Sequence, residues 1–187
     1  DRNVVAFKEN EMNELIQKIE QWASDRNIIK GSKPIDQAMK LFSEFGELAD
    51  NVGKGRDCRD DIGDVFVVLT IIAKQCNRSI LDVAANAIDE VYCFERNVKI
   101  SVLELGMTIT SMLHDGNSDP LMFNIESALC NLNDICIVNS YTLEECVQIA
   151  YDDIKERRRV LVNGVFIKES APAYSLVISE IEENHQI

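Results

Sequence analysis

Apolar positions recur at spacings of three and four along most of this chain, and that period predicts helices rather than strands. Over residues 11–27, Met12, Leu15, Ile16, Ile19, Trp22 and Ala23 fall on one stripe. A loop, IIKGSKP, follows, with Pro34 suited to the first turn of the next helix. That helix, over 35–52, presents Ala38, Leu41, Phe42, Phe45, Leu48, Ala49 and Val52 as one broad face. After the break at NVGKGRDC, a third helix spans 59–76 and becomes apolar nearly all round beyond Phe66, which predicts a central position. Ser79 and Asp82 form a variant capping box for a fourth helix reaching about Asn97.

The second half repeats this plan. SEFGELAD (43–50) aligns with LELGMTIT (103–110), DDIGDVFVVLTIIAKQ (60–75) with MFNIESALCNLNDICI (122–137), and the helix after Asn77 with the one after Asn139. An internal duplication accounts for this, because neither half buries its helical faces alone. The expected architecture is an all-α antiparallel helical bundle of two related lobes, 1–98 and 99–164. A tail, 165–187, follows the Asn163-Gly164 turn signal as a short extended appendage.

Composition narrows the function. Hydrophobic residues make up 46% of the 187, enough for a core, and the formal charge of −13 disfavours nucleic acid or an anionic membrane as partner. No apolar run approaches the roughly 18 residues of a membrane span, and no leader-like segment opens the sequence, so a cytoplasmic protein is expected. The six cysteines include no C-x-x-C pair and sit mostly in apolar stretches, as reduced core thiols do.

Two acidic pairs stand out against the apolar stripes: Glu44 with Glu47, and Asp61 with Asp64. Residues three apart on a helix share a side, so antiparallel packing of these two helices would bring four carboxylates together. Two such charges about 6 Å apart repel by roughly 3 kcal/mol at an effective dielectric near 20. Protonation or a metal ion would relieve that repulsion, and all-oxygen donors favour Mg²⁺, with Mn²⁺ as substitute. Solvated helix faces also carry such pairs. Gly46 and Gly63, one inside each pair, each cost about 1 kcal/mol of helix propensity and suggest a close approach to the backbone. A di-iron centre needs Glu-x-x-His on two helices. Only His114 and His185 exist, and Ser111 precedes the former by three, so two such motifs cannot form.

KLFSEFGEL (40–48) and DIGDV (61–65), joined by a short loop and followed by a long apolar helix, resemble the MazG-type all-α nucleoside triphosphate pyrophosphohydrolases. The family pattern is E-E-x-x-E followed by E-x-x-D or D-x-x-D. The likeness extends to Gln21-Trp22-Ala23, to Lys40, and downstream through AYDDIKERRRVLVNGVFIKE to Glu169. It implies that Glu44, Glu47, Asp61 and Asp64 are catalytic Mg²⁺ ligands. The family's leading glutamate is Ser43 here, and in the second lobe Met107 and Phe123 stand where Glu47 and Asp61 stand in the first. One working site per chain follows.

The implied reaction is Mg²⁺-dependent hydrolysis of a nucleoside triphosphate, a dNTP by preference, to monophosphate and pyrophosphate, in adjustment of the nucleotide pool. Cations must offset the phosphates. Lys54, Arg56 and Arg59 lie in the loop between the motif helices; Arg96, Lys155, Arg157 and Lys168 sit where the family places phosphate-reaching residues. Trp22 suits base stacking or core packing. A homodimer with four lobes is the expected assembly. Two alternatives remain: a non-catalytic interaction module on the same bundle, and hydrolysis of another phosphate anhydride.

Overall fold

The computed structural model describes residues 2–81, 97–112 and 118–185. Most of the predicted fourth helix, Arg96 and His114 lie outside the described residues. The chain is all-α, with a small two-stranded sheet near its C-terminal end. No helix among the described residues is long and apolar enough to cross a membrane.

Helix α1 (Arg2–Asp25) buries the predicted stripe of Met12, Leu15, Ile16, Ile19, Trp22 and Ala23. A single turn, α2 (Ile28–Gly31), occupies part of the predicted loop. Helix α3 (Pro34–Lys54) opens with proline in its first turn and with the Asp36 carboxylate accepting from the Lys33 N–H; it stops at Gly55 in the left-handed region. Helix α4 (Arg59–Gln75) is the central element: Ile62, Gly63 and residues 65–73 are all buried. It packs on α1, α3, α6 (Ser118–Val138) and α7 (Leu143–Lys155). Helix α5 (Val98–Met112) pairs with α6 and touches α3.

The α4–α7 crossing explains Gly63. A Cβ there would overlap the carbonyl of Cys146 and the side chain of Ala150, so only glycine permits this approach. The close neighbour anticipated at the two motif glycines is therefore helix α7 at Gly63. Gly46 is exposed with nothing near it, and nothing in the structure explains that glycine.

The inward stripe of α3 also differs from the sequence expectation. Gln37, Ala38, Leu41, Glu44, Leu48 and Val52 are buried, while Phe42 is exposed and Phe45 packs on Gly106 of α5. Glu44 thus shares the inward face with Leu41 and Leu48, and Phe42 is left outside it.

After α7 the chain forms a hairpin, β1 (Arg159–Val162) against β2 (Val165–Lys168), and ends in helix α8 (Tyr174–His185) rather than in extended chain. Asn163 and Gly164 both adopt positive φ, 48° and 78°, as a two-residue type I′ turn requires. The hairpin is tied to the far end of the sequence. Arg26 Nε donates to the Arg157 carbonyl at 3.1 Å, and the Leu161 N–H donates to the Arg26 carbonyl at 2.9 Å.

Candidate functional site

Helices α3 and α4 run antiparallel. Asn51 Nδ2 meets Asp61 at one end of the pair, and Gln75 Nε2 donates to Ser32 at the other. Along their shared flank lies a cleft of about 650 Å³, walled by these helices, by Trp22 of α1, by α2 and by the hairpin. On α3 its lining runs from Lys33 to Glu44, about 16 Å of helix at 1.5 Å per residue.

One end is acidic. Glu44 is 5% exposed and forms an ion pair with Lys40 one turn earlier, while Asp64 faces it from α4. Burial, then the negative charges of Glu44 and Asp60, push the Asp64 carboxyl up to about 7, against the pull of Lys40 and Arg157. Asp61 is raised by desolvation and by Glu44, and the Asn51 hydrogen bond opposes this. Asp60, more exposed, is raised by desolvation, Asp153 and Asp61. Glu44, Asp60, Asp61 and Asp64 thus act on one another. Glu47, one turn beyond Glu44, is exposed and does not line the cleft.

These acids are near enough to repel but are not gathered into a coordination shell. Among the described residues no group of three or more His, Cys, Asp or Glu side chains is placed to hold a metal ion. The donor chemistry nevertheless fits Mg²⁺, which keeps several waters and is held by one or two carboxylates together with substrate phosphates. A carboxyl pushed up by burial and by neighbouring acids is what a divalent cation relieves.

The predicted cations divide. Arg157 lines the cleft, pairs with Asp153, and acts on both Asp60 and Asp64. Trp22 lines it too, while also belonging to the core. Lys54 pairs with Asp50 at 2.6 Å and Lys155 with Asp152 at 2.6 Å, both outside the lining. Arg59 is engaged by Asp57 and Glu145 and stacks on Tyr141, where it clamps the start of α4 to α7. Lys168 is exposed on β2, across the ladder from Arg159.

Sequence reasoning missed Lys30, Lys33, Arg159, Asn163 and Phe166, all of which line the cleft. The alternation of Arg157 and Arg159 just before a strand was the available signal, since positions two apart share a strand face. Arg159 sits over the Phe166 ring with its Cζ 4.5 Å from the centroid. Its charged form is disfavoured by burial and by Arg157.

No family model matches the chain, and no solved structure matches it. The sequence is 49% identical over 67 residues to a Haemophilus phage HP1 (strain HP1c1) protein described as an uncharacterized 18.2 kDa protein in the rep-hol intergenic region. The match covers 35% of this chain and 41% of that protein, so the chain spans well under half of its relative.

Proposed function

We propose that this chain hydrolyses nucleoside triphosphates between the α and β phosphates, releasing monophosphate and pyrophosphate, with Mg²⁺ as the resident ion. The observation that carries this reading is the cleft itself: about 650 Å³, acidic at one end through Glu44 and Asp64, cationic along the opposite wall, and bordered by Trp22. Pockets of about 300–1,000 Å³ take small molecules of nucleotide size.

Glu44 and Asp64 would hold the ion, with Asp61 and Glu47 as the further acids that the family pattern supplies. When bound, Mg²⁺ supplies charge neutralisation and an acidified water. The remaining work falls to the chain. Arg157 lies beside Asp60 and Asp64, where it offsets phosphate charge that a protein of formal charge −13 would otherwise repel. Without the ion the Asp64 carboxyl stands near 7, so binding of Mg²⁺ at neutral pH would displace its proton and leave it ionised. Lys40, held by Glu44 while no phosphate is present, is free to turn to the substrate once Glu44 binds a metal. The hairpin and Trp22 form part of the cleft wall.

The test is a panel of natural and modified NTPs and dNTPs with Mg²⁺ or Mn²⁺, scoring monophosphate and pyrophosphate separately. Release of both in equal amounts supports the reading. Silence across the panel favours a non-catalytic module.

A further inference from the structure

Six large apolar side chains of α3 and α5 face solvent: Ile35, Met39 and Phe42 on the first, Ile100, Leu103 and Met107 on the second. They border one seam. Phe45 of α3 packs on Gly106 of α5, Phe42 lies one turn before Phe45, and Leu103 and Met107 flank Gly106. Residues three and four apart share a helix side, so both stripes run along the outer edge of this contact. With about 200 Å² for a fully exposed side chain of this size, the six together expose roughly 700 Å². The largest apolar patch of a monomer is about 300–600 Å², whereas a standard interface takes about 800 Å² from each partner.

The second lobe contributes where the first does not. By the internal alignment, Leu103 and Met107 stand where the first lobe has Ser43 and Glu47, and they are 67% and 72% exposed. Loss of an acidic site leaves any polar residue acceptable at such positions. Apolar side chains there point to a surface that another molecule covers.

The pattern on α3 gives the shape of that cover. Ile35, Met39, Phe42, Gly46, Ala49 and Gly53 alternate spacings of four and three, the heptad seam by which one helix packs along another. Among the described residues nothing lies within 4 Å of where a Cβ would stand at Gly46 or Gly53. Both glycines cost helix propensity, with no close packing among those residues to compensate. An incoming helix uses the space, seating a large side chain over a glycine as Phe45 sits over Gly106.

Charge then selects the partner. None of the six side chains is charged, so a basic partner drawn to a protein of formal charge −13 gains nothing from this face. A second copy brings the same apolar heptad stripe, and a two-fold contact needs such a self-complementary patch.

We propose that two copies of this chain associate through the α3–α5 face, with α3 packed antiparallel on its two-fold mate and Phe42 of each copy over Gly46 of the other. The expected homodimer thereby gains a defined surface, one that does not depend on nucleotide hydrolysis.

Sedimentation equilibrium of the full chain over a dilution series tests this. The parent is expected at twice its 21.1 kDa mass. Met39→Glu, Leu103→Glu and Met107→Glu change solvent-facing positions, so each keeps the helix content read by circular dichroism. Each raises the dimer dissociation constant at least about 30-fold. Gly46→Leu, whose added side chain meets open space among the described residues, weakens the dimer as well. Leu176→Glu, on α8 and 70% exposed, leaves the constant within about twofold and controls for added charge. A parent that stays monomeric at every concentration overturns the proposal, as does a dimer that the α3 and α5 variants leave intact. So does equal weakening by Leu176→Glu, which would move the contact to α8 or reduce it to net charge.

Discussion

Asn27 Nδ2 donates a 2.8 Å hydrogen bond to the carbonyl of Leu161, across 134 positions of sequence. Asn27 stands in the left-handed region, φ 56°, and Gly31 lies so close that a Cβ would come within 2.7 Å of Asn27 Nδ2 and 2.9 Å of the Leu161 oxygen. The turn between α1 and α2 is thus the dock for the hairpin that carries Arg157 and Arg159. Asn27→Gly keeps the backbone conformation and deletes the bond, at a cost of about 1 kcal/mol. Both Asn27→Gly and Gly31→Ala are expected to raise KM severalfold for every nucleotide while helix content holds. Steady-state kinetics and circular dichroism check this; an unchanged KM in both variants would detach the hairpin from the site.

The metal-free protein should lose stability as pH rises through the acidic range. Asp64 is protonated in the folded state up to about pH 7 but ionises near 3.8 when unfolded. The unfolded chain therefore releases its proton first, and stability falls between about pH 4 and 7, then levels off. Asp64→Asn removes this dependence. Its Tm advantage over the parent in EDTA should grow from pH 4 to 7 and stay constant above, as differential scanning fluorimetry would read. With Mg²⁺ at pH 8 the parent should gain Tm and Asp64→Asn should gain less.

Glu44 and Glu47 test the acidic end from two sides. Glu47 is exposed, so Glu47→Gln should leave the unfolding free energy unchanged within about 0.5 kcal/mol, yet lower kcat at least about 100-fold if it serves the metal. Glu44→Gln should lose turnover equally and, by leaving Lys40 without its partner, shift stability as well. Parent-level turnover in Glu47→Gln would remove that residue from the site.

Gly63 tests the packing that aims Asp64. Gly63→Ala places a methyl against the Cys146 carbonyl and Ala150, an overpacking worth about 1–3 kcal/mol. Urea denaturation would report the loss. A variant as stable as the parent would show that α4 and α7 separate freely.

Much of this was readable in the sequence, for physical reasons. The α4 run from Phe66 onward has no polar face to give to solvent, so it could only be central. Asn163-Gly164 could only be a tight turn, and both residues take positive φ. Glu44 was legible as a candidate because it interrupts an apolar stripe, but the same stripe assigned Phe42 inward, and it points out. A face about 100° wide leaves such a choice open, and contact with α4 and α5 decides it. The hairpin's part in the cleft was not legible, since its docking depends on Arg26 and Asn27, more than 130 positions away.

The account stands most directly on the products formed by the purified chain from a deoxynucleoside triphosphate with Mg²⁺, followed by phosphorus NMR. Equal growth of monophosphate and pyrophosphate signals, abolished by EDTA and by Glu44→Gln, is the predicted result. Diphosphate with inorganic phosphate, or an unchanged spectrum for every triphosphate tried, would contradict it.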